Sequence, residues 1–127
     1  MDLSAEKMTG VAGDPFSLAR RLQTPVWVFD TDNSQIIHAN EAACAVWQAE
    51  SEEALRERRL SDGMSATVAK RLRQYQSDFI DSDATFNESW TLYPKDEPVT
   101  VKVVYSGFVL PDGRMAMLCE VVGEVVD

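Results

Sequence analysis

The sequence is short of the residues on which most metal, redox and nucleophilic chemistry draws. It has two cysteines and one histidine in 127 residues. Cys44 and Cys119 lie far apart and show no metal-ligand spacing, so the expectation is buried free thiols in a reducing, cytoplasmic setting. Basic residues are outnumbered: 12 Lys and Arg stand against 21 Asp and Glu, giving a net charge of −9 and an isoelectric point near 4.5. Such a surface repels phosphate backbones and anionic lipid, which argues against nucleic acid and membrane as partners. No apolar run is long enough to span a bilayer, and Met1-Asp2-Leu3-Ser4 is not expected to open a signal peptide. There is no internal repeat, no paired nucleophile and base, and no phosphate-binding glycine loop. No catalytic residue is assigned on this reading, and a non-enzymatic role is expected.

What is present is ordinary globular material. Apolar residues make up 45% and charged residues 26%, in a length that suits one domain with a real core. The organising stretch is Thr24 to Trp47. Val26 to Phe29 is apolar and follows Pro25, as a strand start would. Asp30 to Ser34 is a cluster of turn formers, and Gln35 to Ala39 resumes an extended run. Asn40 sits where a helix needs a cap, with Glu41 adding favourable charge in the first turn. Ala43, Val46 and Trp47 then fall on one face. As this cap is lost, Asn40→Ala is expected to cost about 0.5–2 kcal/mol and Asn40→Asp much less.

On either side, the chain divides into a flexible lead-in over residues 1–13, an N-terminal flanking helix over 14–23 and the main domain over 24–127. Asp14-Pro15 gives the flanking helix a cap and a first-turn proline. Ser51 caps a short helix containing Leu55, and the run Arg56-Glu57-Arg58-Arg59 reads as a solvated face. Ser65 caps the longest helix, to about Asp81, with Val68, Leu72, Tyr75 and Phe79 in one stripe. Three strands close the chain. The first is Phe86 to Tyr93, with Phe86, Glu88, Trp90 and Leu92 on one face. Next comes Val99 to Leu110, with a bulge expected at Gly107, and after the Pro111-Asp112-Gly113 turn, Arg114 to Val122. The class is α+β, an antiparallel sheet with helices on one face.

This order, with the local text VFDTDNSQIIHANEAACAVW and the pair WTLYPKDEPVTV and LPDGRMAMLCE, resembles a PAS domain of bacterial sensor kinases and cyclic-dinucleotide signalling proteins. The resemblance runs from about Thr24 to Val122. It implies a five-stranded antiparallel sheet in order 2-1-5-4-3, cupping helices around a possible ligand cavity. It also implies a sensory or regulatory role, with an output domain, a kinase or a cyclic-dinucleotide enzyme, in a larger parent protein. Where the family often carries glycine in the first hairpin, Asn33 is expected to take the positive φ.

Candidate chemistry is thin. Asp30, Asp32, Ser34 and Glu41 fit part of a calcium-loop spacing, but Gln35 stands where glycine is required and a strand precedes the loop, so turn and cap roles are preferred and no metal is assigned. His38, on a strand, does not suit the haem ligand that the resemblance would place on the long helix. The middle helices lack the cysteine of the flavin-adduct subfamily. Haem and covalent flavin are therefore not expected, and the cofactor is left unknown. Leu72, Tyr75, Phe79, Trp90, Val103, Met115 and Met117 are the candidate pocket lining, between the long helix and the last three strands. For each of these, simple core packing is the stronger single-residue reading. Phe16, Leu18, Ala19 and Leu22 are too apolar for water and are expected to build a homodimer on the outer sheet face. The competing reading folds them back on their own sheet. A ligand-free dimerisation module is the alternative function, and a small α+β enzyme using Asp30 or His38 ranks third.

Overall fold

A computed structural model describes residues 15–124. The lead-in over 1–13 and the expected cap Asp14 lie outside the described residues. Five strands form one antiparallel sheet: β1 (Val26–Asp30), β2 (Gln35–Ala39), β3 (Thr85–Leu92), β4 (Val99–Val109) and β5 (Met115–Glu124). Their spatial order is β2-β1-β5-β4-β3, as the resemblance implied. Between β2 and β3 come helices α1 (Glu41–Val46), α2 (Glu52–Arg56) and α3 (Ala66–Ser82), with a 3₁₀ turn at Leu60–Gly63. Each helix starts on the residue the sequence marks. Asn40 Oδ1, Ser51 Oγ and Ser65 Oγ accept from the backbone N–H of Ala43, Ala54 and Val68, satisfying donors that have no partner within the helix.

The inner sheet face meets the helices. Trp27, Phe29, Ile36, Val101, Val103, Tyr105, Met117 and Cys119 pack there against Leu55, Leu72, Tyr75 and Phe79. The outer face carries a second cluster: Val26, Val28, Leu110 and Ala116 close over Phe16, with Ala19, Ile37, Phe108 and Leu118 beside them. Strand β1 is therefore buried on both sides, because it lies near the middle of the sheet with a layer on each face.

Three local expectations are corrected. The flanking helix over 14–23 is, from Pro15 on, a turn and a single 3₁₀ turn at Ala19–Arg21. Its continuation is blocked because Asn40 Nδ2 takes the carbonyls of Ala19, Leu22 and Thr24, and Leu22 swings to an extended ψ of 150°. The left-handed residue of the first turn is Ser34 (φ 52°), not Asn33. Asn33 is held to Asp30 by both its backbone and its side chain, which passes the reversal on by one residue. The bulge in the long hairpin lies at Lys102/Val103, not at Gly107. Gly107 is instead a site of close approach: a Cβ there would lie 2.8 Å from Met115 Sδ and 3.0 Å from Phe79 Cβ. The Pro111-Asp112-Gly113 turn is as expected. Gly113 N–H donates to Leu110 O, and Gly113 takes φ 93°.

Candidate functional site

A cleft of about 560 Å³ opens between α3, the 3₁₀ turn at Leu60–Gly63 and the inner face of the sheet. Its volume is that of a site for a drug-sized molecule. The sheet supplies the floor: Trp27 and Phe29 from β1, Trp90 and Leu92 from β3, Val103 and Tyr105 from β4, Met117 and Cys119 from β5. Trp47, just after α1, stands edge-on to Trp27 with ring centroids 5.6 Å apart. Val68 and Leu72 of α3 face the floor, while Arg59, Gly63, Ser65 and Arg71 are exposed and form the mouth.

Of the lining expected from sequence, Leu72, Trp90, Val103 and Met117 belong to this cleft. Tyr75, Phe79 and Met115 do not line it. Tyr75 and Phe79 both pack against Phe86, and Met115 lies in the direction a Cβ of Gly107 would take. The cleft sits nearer the N-terminal half of α3 than the periodicity of that helix alone suggested, and reaches across to β1. Several lining residues were missed, among them Trp47, Val68, Leu92, Tyr105 and Cys119, and two groups of them had no readable signal. Trp27 and Phe29 lie on a strand buried on both faces, where alternation gives no inside or outside. Leu60 and Met64 lie in and beside a short 3₁₀ turn with no readable period.

One polar network stands beside the cleft. Glu88 Oε1 accepts from Tyr75 OH at 2.6 Å and Trp90 Nε1 at 3.0 Å, and Arg71 Nη2 donates to both Glu88 oxygens at 3.2 Å. Arg71 Nε also donates to Tyr75 OH at 2.7 Å. Burial pushes the Glu88 carboxyl up, but the donors from Tyr75, Trp90 and Arg71 outweigh it and hold the group below its ordinary value. Burial and then the Glu88 hydrogen bond raise the Tyr75 phenol. Glu88 is thus a carboxylate held by three donor residues, chiefly at Oε1, an anchor for α3 on β3.

Two further polar atoms in the cleft's walls are unmatched. Trp47 Nε1 and Tyr105 OH are buried and find no hydrogen-bond partner among the described residues. Burial drives Tyr105 ionisation far above the ordinary phenol range, so the hydroxyl keeps its proton. The wall holding Trp47 is itself tethered. Arg58 Nη1 donates to the carbonyls of Trp47 at 2.7 Å and Pro94 at 3.2 Å, and its Nη2 donates to Gln48 O at 3.0 Å. Arg58 thus leaves the solvated face expected for its charge run: it ties the end of α1 to the β3–β4 loop.

The other sequence candidates lie elsewhere. Asp30 and Asp32 are joined to Arg114, at 2.9 Å and 3.1 Å, as part of the link between the first turn and the last hairpin. His38 is on the outer face, stacked on Phe16 with ring centroids 5.3 Å apart. Phe16 is buried within its own chain, whereas Leu18 and Leu22 are 76% and 49% exposed. Cys44 and Cys119 are both buried free thiols.

A family model described as PAS domain matches residues 17–89. Among solved structures, the PAS domain of an HTR-like protein from Haloarcula marismortui is 17% identical with a TM-score of 0.63, covering 97% of this chain and 99% of that one. The PAS domain of nitrogen regulation protein NR(II) from Vibrio parahaemolyticus is 17% identical with a TM-score of 0.61, covering 87% and 97%. The Vibrio cholerae VqmA dimer, one of the LuxR-type receptors, is 16% identical with a TM-score of 0.58, covering 87% of this chain and 50% of that one. At these identities the likeness is one of fold. No curated protein matches the chain.

Proposed function

This chain belongs to the PAS-domain family, and from that premise we propose that it takes a small molecule into the cleft beneath α3 and passes its arrival on to an output domain. The family's modules serve in sensory and regulatory proteins and are in general not enzymes, so a signalling role at that coarse level follows from membership. The observation that carries the finer reading is the cleft: about 560 Å³ walled by Trp27, Phe29, Trp47, Trp90, Tyr105 and Met117 in the middle of the fold. A domain used only to hold two chains together has no need to keep that volume clear of side chains. The expectation is that mass spectrometry of the freshly purified, denatured protein finds a stoichiometric small molecule, or that a fragment screen finds ligands that raise the melting temperature. Finding neither a released molecule nor a thermal shift in such a screen would overturn the sensory cleft.

A second reading has its own observation. Leu18 and Leu22 flank the buried Phe16 yet stay exposed beside the outer face. A homodimer would cover them, and VqmA, of similar fold, is a dimer. The two readings are compatible, since the cleft and this patch lie on opposite faces of the sheet.

A further inference from the structure

The charge of the cleft departs from that of the chain. Over the whole sequence 21 acidic residues stand against 12 basic ones, yet the described residues that line the cleft include Arg59 and Arg71 and no aspartate or glutamate. The two arginines differ. Arg71 is matched by Glu88, beside the cleft, at 3.2 Å. Arg59 has no ion pair and no side-chain hydrogen bond among the described residues. Asp62, on the 3₁₀ turn that Arg59 precedes, is exposed and does not line the cleft. The backbone that carries Arg59 is pinned on both sides. Arg58 is tied to the carbonyls of Trp47, Gln48 and Pro94, and Asp62 N–H donates to Arg59 O at 3.3 Å. A guanidinium stays charged in any protein and presents a planar set of donors that fits a carboxylate with two parallel bonds. Behind this free cation the walls are chiefly aromatic and aliphatic.

We propose that the cleft takes an amphipathic carboxylate, with its apolar body against the sheet floor and its carboxylate at the mouth on Arg59. The inference rests on the cleft being a ligand site, as proposed above. A charge set deep among the rings would lose its hydration at great cost. At the mouth, where Arg59 is exposed, it keeps water on one side and gains the guanidinium on the other. An uncharged molecule of the same shape leaves Arg59 unmatched, and a cation finds no carboxylate in the described lining. The net charge of −9 works against every anion, so a preference for one has to arise locally.

The test uses three probes that share one apolar body: 2-naphthoate, the uncharged 2-naphthamide and the cation 2-naphthylmethylammonium. Each is titrated into the full chain by calorimetry. The methyl resonances of Met64 and Met117, both lining residues, locate the binding, and each is assigned through its loss on substitution by leucine. Naphthoate is expected to bind about fivefold more tightly than naphthamide, the worth of one solvent-screened ion pair, and to bind more tightly than the cation. Arg59→Gln is expected to abolish that preference while leaving naphthamide affinity and the melting temperature unchanged, since the guanidinium has no partner to lose. Lys102→Gln removes one positive charge at an exposed position of β4 outside the lining, and is expected to leave all three affinities unchanged. If naphthamide or the cation binds as tightly as naphthoate, the cleft stands as a ligand site but the carboxylate rule is overturned. Equal losses of naphthoate affinity in Arg59→Gln and Lys102→Gln, or none in Arg59→Gln, overturn the role of Arg59. Naphthoate binding that leaves the Met64 and Met117 methyls unmoved places the anion elsewhere and also overturns the proposal. If none of the three probes binds, the ligand cleft itself fails, and this inference with it.

Discussion

Asn40 and Thr24 are joined by a 2.8 Å hydrogen bond in which the Asn40 side-chain amide donates to the Thr24 carbonyl. That bond is one of a set. The same Nδ2 reaches Ala19 O at 3.0 Å and Leu22 O at 3.3 Å, while Oδ1 accepts from Val26 N–H at 3.1 Å and Ala43 N–H at 2.9 Å. One buried side chain therefore holds the N-terminal turn, the start of β1 and the start of α1 together. An aspartate can supply the two acceptor contacts, but it would turn a carboxylate oxygen toward three carbonyls.

Both Asn40→Ala and Asn40→Asp are accordingly expected to lose about 2–4 kcal/mol, a cap plus buried hydrogen bonds. The capping pattern alone made aspartate the mild change; the tertiary contacts reverse that. Urea denaturation of the two variants decides it, and a near-native Asn40→Asp would show that the amide donors contribute little.

Gly107→Ala is expected to destabilise by about 1–3 kcal/mol through overpacking. The methyl would enter space bounded by Met115 Sδ and Phe79 Cβ. Met115 can swing away, while the Phe79 Cβ is fixed to its helix. Adding Met115→Ala should therefore recover only part of the loss. Full recovery would locate the whole conflict at the methionine.

Asp30 gives the fold an acid-sensitive joint. Burial raises its carboxyl, but hydrogen bonds from Arg114 and Asn33 and the charge of Arg114 prevail and hold it below its ordinary value. A depressed folded-state value means that the stabilisation is present above about pH 4, the ordinary carboxylate value, and is lost as pH falls through the folded value. Asp30→Asn should thus cost about 1–3 kcal/mol near neutral pH, and the gap to wild type should close in strong acid. A gap that stays constant with pH would remove the ionic contribution.

The thiols are expected to be inert in the folded protein. Burial raises both, helped at Cys44 by the nearby charges of Glu52 and Glu41, so little thiolate exists near neutral pH. Labelling with iodoacetamide should be slow until denaturant is added. Fast stoichiometric labelling of the native chain would contradict the burial.

Leu18→Glu together with Leu22→Glu tests the outer-face dimer. Light scattering should show a dimer for the wild type and a monomer for the variant, with little change in melting temperature because both side chains are exposed. A wild type that is monomeric at high micromolar concentration ends that reading.

The sequence by itself determined the elements and their order, because the signals for these are local. Helix starts at Asn40, Ser51 and Ser65, the α3 stripe of Leu72, Tyr75 and Phe79, and the Pro111–Gly113 turn depend on neighbours a few residues away. Alternation on β4 and β5 likewise placed Val101, Val103, Tyr105, Met117 and Cys119 on one face, since one stagger suits a half-buried strand. Only the tertiary structure decided what those faces meet. It turned the N-terminal segment onto the outer face through Phe16, made Asn40 a junction, and gave Gly107 its role by bringing Phe79 and Met115 close. It also gathered Trp27, Trp47 and Tyr105 around one cleft and left two of their polar hydrogens without partners. These depend on distances between residues far apart in the chain, which no local spacing encodes.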